Sequence, residues 1–436
     1  MDDARHLLQC LTVAVRPLRV EELAEILALD FQATGEQRTG IPKLMEDWRW
    51  DDQDEAVPST CSSLINIVHD GRSPVVQLSH LSVKEYLTSP RLSQTHGNIS
   101  RFYIDLDVAH TILAQGCLGT LLRLDEHAGA KQAKQFPLLE YAAHRWTDHA
   151  RFGKVSSRIR DGVYDLFDSS KPHFPACRRV HAMDENWLGF TRQPQRLDHG
   201  GSLLYYAAFC GLYDLVEHLI VEHPEQVNGG GSRIPLLAAL YNRHFRVANL
   251  LHEHGAVLDV RGQFTRTPLH TASMYGRVDI MRWLLDHGAD TNVRNGDRWT
   301  PLHLAAHNTQ FEAVHAVQVL LEHNAAVNSQ NDEGKTPLYE ALFYPGTSRE
   351  GEVVVNIARR LLEHGADTNI RDRCQSTPLH RASSKGWVEV TRLLLNYGAN
   401  VDEKDEEGRT PFQMASSKGY DKVENLLLEH GAVSQP

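Results

Sequence analysis

Twenty-five histidines in a chain of 436 residues raise the question of metal binding or acid–base catalysis. Most of them recur at two places in a repeated pattern. One set follows Thr-Pro-Leu and comprises His270, His303 and His380. The other set precedes a glycine or an asparagine at the end of an apolar run and comprises His254, His287, His323, His364 and His430. Since a histidine suits the negative end of a helix dipole, we expect structural roles and predict no catalytic or metal-binding residue.

Other motifs of catalysis and ligand binding are incomplete. The sequence has no H-E-x-x-H, paired C-x-x-C or G-x-S-x-G, and its six cysteines are scattered in the manner of reduced intracellular thiols. Gly334-Lys335-Thr336 ends like a phosphate-binding loop, but that loop needs a glycine where Ser329 stands. Residues 402–408 resemble a calcium loop, yet Met414 occupies the position of its closing glutamate. We therefore predict neither enzymatic activity nor a bound cofactor.

Charge and hydropathy narrow the class of partner. A net charge of −11 and a pI near 6.1 argue against general affinity for nucleic acid or for an anionic membrane, because both need a basic face. The first residues show no basic leader followed by a long apolar run, and no stretch approaches the roughly 18 apolar residues of a membrane span. We expect a soluble, cytoplasmic protein that binds neither nucleic acid nor membrane.

A repeated stretch defines the elements that position these side chains. Residues 267–297 open with Thr-Pro-Leu-His, which recurs at Thr300 and Thr377. Looser copies start at Ser202, Ile234, Thr336 and Thr410. A period near 33 with a T-P-L-H-x-A core is the signature of ankyrin repeats. The predicted fold class is mostly α, with an ankyrin solenoid of about seven repeats over residues 202–436.

Each repeat is predicted to be a pair of short helices. Thr267 can cap the first helix, Pro268 suits its first turn, and Gly276 ends it. A second helix with apolar residues at 3- and 4-residue spacing ends at Gly288. In one copy Asn324 replaces this glycine, and asparagine also tolerates a positive φ. Helices of about 8–10 residues are too short to be stable alone, so the repeats must stack.

Two longer intervals indicate insertions. The repeat that starts at Thr300 has about three extra residues, which we place in its second helix between Thr309 and Leu320. The next repeat has about eight extra residues, and we expect 345–351 to form a projecting loop between its two helices.

Residues 1–95 are predicted to form a winged-helix-like domain. The predicted elements are helices at 4–15, 20–29 and 82–87, and a hairpin from 64–68 and 75–78 with a turn at Asp70-Gly71. A winged helix raises the question of DNA binding. The basic residues of this region are scattered among more numerous acids: Lys43, Arg49, Arg72, Lys84 and Arg91. We therefore expect a structural or regulatory wing.

The segment between this domain and the repeats is predicted to have two parts. Residues 100–167 form a helical region, with 108–122 and 138–149 as its clearest helices. Residues 168–201 are rich in proline, arginine, histidine and aspartate, which indicates a connector that packs on the first repeat. A short ordered piece is expected near Trp187.

Four phrases carry a more specific resemblance. They are VQLSHLSVKEYLTSP at 76–90, DVAHTILAQGCLGTLL at 107–122, FPLLEYAAHRWTDHAR at 136–151 and SLLYYAAFCGLYDLVEHLIVEHPEQVN at 202–228. In these phrases the chain resembles the C-terminal part of fungal NLR-like NACHT–ankyrin receptors. The resemblance implies a winged-helix and helical segment that links a nucleotide-binding NACHT domain to an ankyrin sensor. The chain departs from that family because it has no G-x-x-x-x-G-K-[ST], so we expect no NACHT NTPase domain in it.

Three functions follow as hypotheses. The resemblance favours a non-enzymatic protein–protein interaction scaffold or sensor, similar to the distal part of an innate-immunity or heterokaryon-incompatibility type receptor. Alternatively, the chain is a truncated part of a nucleotide-switched STAND NTPase receptor, which an in-frame phosphate-binding loop upstream of Met1 would support. A third hypothesis, DNA binding through the wing, predicts a salt-sensitive complex with duplex DNA.

The resemblance to ankyrin proteins implies that a partner protein binds the concave face. That face is lined by the turns before each T-P-L-H and by the exposed side of each first helix. The candidate partner-binding residues are Phe264, Arg298 and Trp299 at the turns, and Met274, Tyr275, His307, Tyr344 and Lys385 on first helices. Aromatic and arginine side chains are common anchors of interfaces.

Two of these candidates have a second interpretation. Trp299 can simply pack on the adjacent turn. Arg298, like Thr265 and Gln375, occupies a turn position that is glycine at 334 and 408, which predicts local backbone strain.

Overall fold

The structure is a computed structural model that describes residues 2–31, 41–45, 57, 63–69, 73–94, 98–125, 136–168, 170–174, 176–177, 201–229, 234–261, 265–308, 310–343 and 348–433. The contacts divide the chain into two compact units, Met1–Ala256 and Val257–Pro436. The bounds of the four domains drawn from the sequence stay predictions. The predicted turn at Asp70-Gly71, the ordered piece near Trp187, and the candidates Phe264 and Tyr344 lie outside the described residues.

The first unit begins with a small module of helices and antiparallel strands. Its elements are α1 (Asp2–Val13), β1 (Leu18–Arg19), α2 (Val20–Leu27), β2 (Leu29–Asp30), β3 (Lys43–Leu44), β4 (Ile65–His69), β5 (Pro74–Leu78), α3 (Leu81–Leu87) and α4 (Pro90–Ser93). The predicted helices and both hairpin strands are present within a few residues. Two pairings were not predicted: β1 adds to β5 in a sheet of order β1-β5-β4, and β2 pairs with β3. Strands of two residues have no detectable period.

The helical region follows a short 3-10 helix at Asn98–Phe102. Its helices are α5 (Leu106–Leu121), α6 (Leu139–Ala150), α7 (Val155–Arg158) and α8 (Arg160–Phe167). Helix α5 packs on both α1 and α6, and its side chains Leu113, Leu118 and Leu121 are fully buried. The two clearest predicted helices are therefore present.

A buried set of polar side chains joins α5 and α6 to the end of α1. The Tyr141 hydroxyl accepts a hydrogen bond from the Val15 N–H at 3.2 Å and lies 2.8 Å from Nε2 of His149. Nδ1 of His149 is 2.9 Å from Nδ1 of His110. Burial lowers the pKa of His149 to about 3 and that of His110 to about 4. Both rings are therefore neutral at pH 7.

Two pairs of helices complete the first unit. They are α9 (Leu203–Cys210) with α10 (Tyr213–Glu222), and α11 (Pro235–Tyr241) with α12 (Phe245–Glu253); a 3-10 helix at Pro224–Gln226 lies between the pairs. The helical region packs on the first pair, where the rings of Phe167 and Tyr206 stack at 4.7 Å. Phe174, in the described part of the connector, contacts Tyr206 at 4.8 Å. Terminal repeats need such cover because one face has no neighbouring repeat.

The second unit consists of further pairs of an inner and an outer helix. The inner helices are α13 (Pro268–Met274), α15 (Pro301–His307), α17 (Pro337–Ala341), α19 (Pro378–Lys385) and α21 (Pro411–Ser416). The outer helices are α14 (Val278–Asp286), α16 (Glu312–Glu322), α18 (Ser348–Glu363), α20 (Val388–Asn396) and α22 (Asp421–Glu429). Each inner helix contacts the next, and the outer helices do the same. Every inner helix begins one residue after a predicted repeat start.

The residues predicted to begin and end the helices do so in the structure. Proline occupies the first turn of each inner helix of this unit, and Leu269 and Ala272 are fully buried. Gly276 and Gly288 have φ of 64° and 90°, and Asn324, which replaces glycine, has φ of 58°. These helix ends therefore require the left-handed conformation that the sequence pattern predicted.

The structure corrects one of the two predicted insertions. Helix α16 has 11 residues against 9 in α14, consistent with extra residues in that helix. The expected loop at 345–351 is wrong for residues 348–351, because α18 starts at Ser348 and runs for 16 residues. Buried positions at Val354, Ile357 and Leu361 hold this helix on its neighbours. One glycine inside a helix costs only about 1 kcal/mol, so Gly351 does not end it.

Candidate functional site

Four turns of the second unit share one construction, and we call them the fingers: 295–299, 331–335, 372–376 and 405–409. In each, the first residue donates its N–H to the carbonyl oxygen of the fifth at 2.9–3.0 Å. The first residues of the four fingers are Asn295, Asn331, Asp372 and Asp405. The side chain of each accepts the N–H groups of the third and fifth residues of its finger. Sequence reasoning missed these four residues. The signal was available, since each stands five positions before a capping threonine.

The fingers are joined to one another by main-chain hydrogen bonds. The Asp332 N–H donates to the Asp297 carbonyl oxygen at 3.1 Å, and the Arg373 N–H donates to that of Glu333 at 2.9 Å. The Glu406 N–H donates to the Cys374 carbonyl oxygen at 2.9 Å. These bonds fix the spacing of the fingers along the array.

The histidine of T-P-L-H links the cap of one repeat to the finger of the next. The Thr300 N–H donates to Nδ1 of His303 at 3.1 Å, so the ring proton is on Nε2 and points to the Lys335 carbonyl oxygen at 3.1 Å. His270 and His380 make the same bonds to Trp299 and Arg409. Burial lowers the pKa of His303 to about 4. The role of this histidine is structural.

The histidines at the ends of the outer helices also have a structural role. In His254, His287, His323, His364 and His430 the ring Nδ1 lies 2.7–2.9 Å from the carbonyl oxygen four residues earlier. Each ring adds a donor to a carbonyl group in the last turn of its helix, and in four of the five cases the same oxygen also accepts the main-chain N–H of the histidine. Among the residues that the structure describes, no group of three or more His, Cys, Asp or Glu could hold a metal ion.

Three of the predicted partner-binding residues line one groove of the second unit. Met274 comes from the end of α13, Trp299 from a finger, and His307 from the end of α15. The groove has a volume of about 750 Å3. The rest of its lining is Arg266, Asn295, Asp297, Leu304, Asn308, Gln310, Asp332 and Glu333. Two neighbouring repeats and their fingers therefore contribute to a single concave surface.

Ring contacts and one buried carboxylate orient His307 in this groove. The Trp299 and His307 rings meet edge to face with their centroids 5.4 Å apart. Nδ1 of His307 lies 3.2 Å from Oε2 of Glu340, whose other oxygen accepts a bond from Nδ2 of Asn331 at 3.0 Å. Glu340 is only 2% exposed. Sequence reasoning missed Glu340, because a glutamate on a short helix gave no sign of being buried.

The remaining candidates lie apart from the groove lining. Tyr275 is 39% exposed at the end of α13. Arg298 is exposed on its finger, with Nε 4.0 Å from Oδ1 of Asp332. Lys385 lies at the end of α19, further along the second unit. The predicted strain is present, since Arg298, Thr265 and Gln375 have φ of 59°, 56° and 55°.

Paired short helices, capped by threonine and joined by bonded fingers, define an α-helical repeat protein with a lined concave groove. The chain belongs to the ankyrin-repeat family. The model of that family, "Ankyrin repeats", matches in three copies, at 204–295, 289–372 and 348–435, which together cover more than half of the chain. Ankyrin repeats indicate protein binding.

Two further comparisons bear on the rest of the chain. Residues 1–97 match the "GPI inositol-deacylase, winged helix domain" family. A protein of Monascus ruber, "Azaphilone pigments biosynthesis cluster protein L", is 29% identical over 276 residues, which are 59% of this chain and 56% of that protein. The chain thus matches little more than half the length of this relative. Together the matches support an ankyrin-containing fungal protein.

Proposed function

We propose that this chain is a non-enzymatic protein–protein interaction scaffold or sensor, and that a partner protein binds the groove lined by Met274, Trp299 and His307. The observation that carries the proposal is that these three side chains, chosen from the sequence for their repeat positions, line the same cavity. A tryptophan and a methionine supply the apolar contact area that interface anchors need. Acidic side chains elsewhere in the groove lining, Asp297, Asp332 and Glu333, supply polar contacts.

The proposed architecture has seven ankyrin repeats behind a winged-helix domain and a helical region. The seven repeats are the helix pairs that begin at Leu203, Pro235, Pro268, Pro301, Pro337, Pro378 and Pro411. The arrangement is similar to the distal part of an NLR-like receptor, and the match of residues 1–97 to a winged-helix domain is consistent with it. We propose that the protein acts in the cytoplasm. None of the helices in the described ranges combines the length and the hydropathy of a membrane span.

The wing is proposed to be regulatory. Its third helix, α3, carries one lysine, Lys84, next to one glutamate, Glu85. A recognition helix for DNA needs several cationic or amide side chains on one face. The composition of α3 therefore supports a protein contact over a contact with DNA.

The test is a comparison of partners captured by the full chain and by two variants. Trp299→Ala removes an anchor of the groove, whereas Tyr397→Ala removes an aromatic side chain that is 45% exposed outside the groove lining. Proteins that bind the parent and Tyr397→Ala, and are lost with Trp299→Ala, are expected. Thermal melts of the three proteins must agree. If all captured proteins bind Trp299→Ala as they bind the parent, the groove is not the binding surface.

A further inference from the structure

Three cations lie together on two neighbouring inner helices and the residues that follow them. Arg381 and Lys385 are four residues apart on α19 and so lie on one side of that helix. Lys385 and Lys418 both stand eight residues after the capping threonines of their repeats, Thr377 and Thr410. Equivalent positions of stacked repeats are neighbours. The three side chains therefore form one basic cluster in a chain whose net charge is −11.

In two other repeats the residue eight positions after the capping threonine bonds to the preceding inner helix. The side-chain Nδ2 of Asn308 donates to the carbonyl oxygen of Met274 at 3.1 Å. In the same way, Nζ of Lys418 donates to the carbonyl oxygen of Ser384 at 2.8 Å. Both acceptors stand seven residues after a capping threonine. A donor is favourable there because the last carbonyl groups of a helix have no partner inside it.

Lys385 does not make this bond, and the equivalent acceptor bonds to Arg381 instead. The equivalent carbonyl group belongs to Phe343, and it accepts Nη2 of Arg381 at 3.3 Å. Within the part of the chain that the structure describes, the ammonium group of Lys385 has neither a hydrogen bond nor an ion pair. Its three N–H donors are therefore free for a ligand.

The surroundings of Lys385 favour an anion with an apolar neighbour. The side chain is half-buried, and burial lowers the pKa of its ammonium group, with Arg381 and Lys418 adding to the effect. A bound anion would offset this repulsion. The ring of Phe343, which is 40% exposed, lies under the Arg381 guanidinium at 5.2 Å and offers apolar surface beside the cluster.

We propose that Lys385 binds the carboxylate of an aspartate or glutamate in an acidic segment of the protein partner. The inference rests on the proposed function, because it gives the same protein partner a second contact, further along the second unit than the groove. Lys385 supplies the free donors, and Arg381 and Lys418 supply the positive field. A charge-assisted bond is stronger than a neutral one and is shielded here by partial burial.

The probe is a displayed library of random 12-residue peptides, selected against the full chain. Three variants are compared with the parent: Lys385→Glu, the neutral Lys385→Gln, and Lys422→Glu as a control. Lys422 is an exposed lysine on the outer helix α22, so its reversal makes the same change in net charge away from the cluster. Peptides recovered with the parent and with Lys422→Glu should be enriched in Asp and Glu. Each should bind Lys385→Glu about tenfold more weakly, with Lys385→Gln between the two.

Three results would overturn the inference. One is a recovered pool without enrichment in Asp and Glu, and another is equal binding of the acidic peptides to the parent and both Lys385 variants. The third is tighter, Lys385-dependent binding of a duplex DNA or a phosphoserine peptide than of any acidic peptide. Peptides that are lost with Trp299→Ala but do not respond to Lys385 would leave the proposed function intact and reject only the inference. If the binding of all recovered peptides is unchanged by Trp299→Ala and by both Lys385 variants, the proposed function and the inference are both rejected.

Discussion

Arg298 holds a backbone conformation that glycine holds in two other fingers. Its φ is 59°, while Gly334 and Gly408 at the equivalent positions have φ of 75° and 77°. A side chain in the left-handed region is unfavourable because its Cβ approaches the following carbonyl oxygen. The exposed Arg298 side chain adds little stability, since its only ion pair within the described residues spans 4.0 Å to Asp332. The strain is therefore local to the candidate surface, where strain is often kept for function.

Replacing Arg298 with glycine is expected to stabilise the protein. Glycine relieves the strain of the left-handed conformation in the folded state, but it also makes the unfolded chain more flexible, which opposes folding. The free energy of unfolding should therefore rise by about 1 kcal/mol. The measurement is the midpoint of urea unfolding followed by tryptophan fluorescence. Gly334→Ala is the opposite change at the equivalent position, and its Cβ would come 3.0 Å from the Arg373 nitrogen. It should destabilise, and a stable Gly334→Ala would show that the position imposes no strain.

At the scale of the element, His303 decides how one repeat is attached to the next. The ring is fully buried and bonds to both the Thr300 N–H and the Lys335 carbonyl oxygen. His303→Ala leaves the Thr300 N–H without its acceptor, removes one of the two bonds to the Lys335 carbonyl oxygen and opens a cavity. We therefore expect a loss of about 2–4 kcal/mol. Urea unfolding of the full chain measures the loss.

A matched variant separates the hydrogen bonds from the volume of the ring. In the last repeat Gln413 replaces the histidine, and its side-chain oxygen accepts the Thr410 N–H at 3.0 Å. His303→Gln should therefore keep the cap and cost less than half of what His303→Ala costs. Equal losses would mean that packing of the ring, and not its bond to Thr300, holds the repeat.

The helix pairs could be predicted from the sequence because the residues that begin and end a helix lie within it or next to it. In the second unit a proline in the first turn and a glycine or asparagine after the last turn fix the ends of each helix pair, and every inner helix began where expected. The two-residue strands β1 to β3 were missed because their pairing depends on distant residues. The start of α18 was missed for a related reason: the packing of Val354 and Ile357 outweighs the loop signal of Gly351.

The groove could be predicted only in part. Repeat positions predicted which side chains face the concave side, and three of the eight candidates line the groove. The buried Glu340 that orients His307 could not be found, because its burial depends on two neighbouring repeats. The free ammonium group of Lys385 could not be predicted either, because no spacing rule says that Arg381 bonds to the carbonyl oxygen at the equivalent position.

At the scale of the whole molecule, both units bury neutral histidines. The first unit contains His110, His149 and His244, and burial lowers their pKa values to about 4, 3 and 4. The second unit contains His303, with a pKa lowered to about 4 by burial. Burial also lowers the pKa of His270 and His380. Nδ1 of His270, His303 and His380 accepts a threonine N–H, and Nδ1 of His110 faces Nδ1 of His149, so protonation of these rings would break a bond. The stability of both units is therefore linked to pH through the same chemistry.

The protein is expected to lose stability as the pH falls below about 6.5, the ordinary histidine pKa that applies in the unfolded chain. Below that value the unfolded chain binds protons that the folded chain refuses, so folding becomes less favourable until the pH reaches the folded values near 3 to 4. The fully buried His149 and His303 should each cost about 1.4 kcal/mol at about pH 5.5. Urea unfolding at about pH 7.5 and at about pH 5.5, on either side of the ordinary histidine pKa, measures the summed loss of stability. His303→Gln removes one titrating ring, so its midpoint should fall less than that of the parent; an equal fall would exclude His303 as a source of the acid sensitivity.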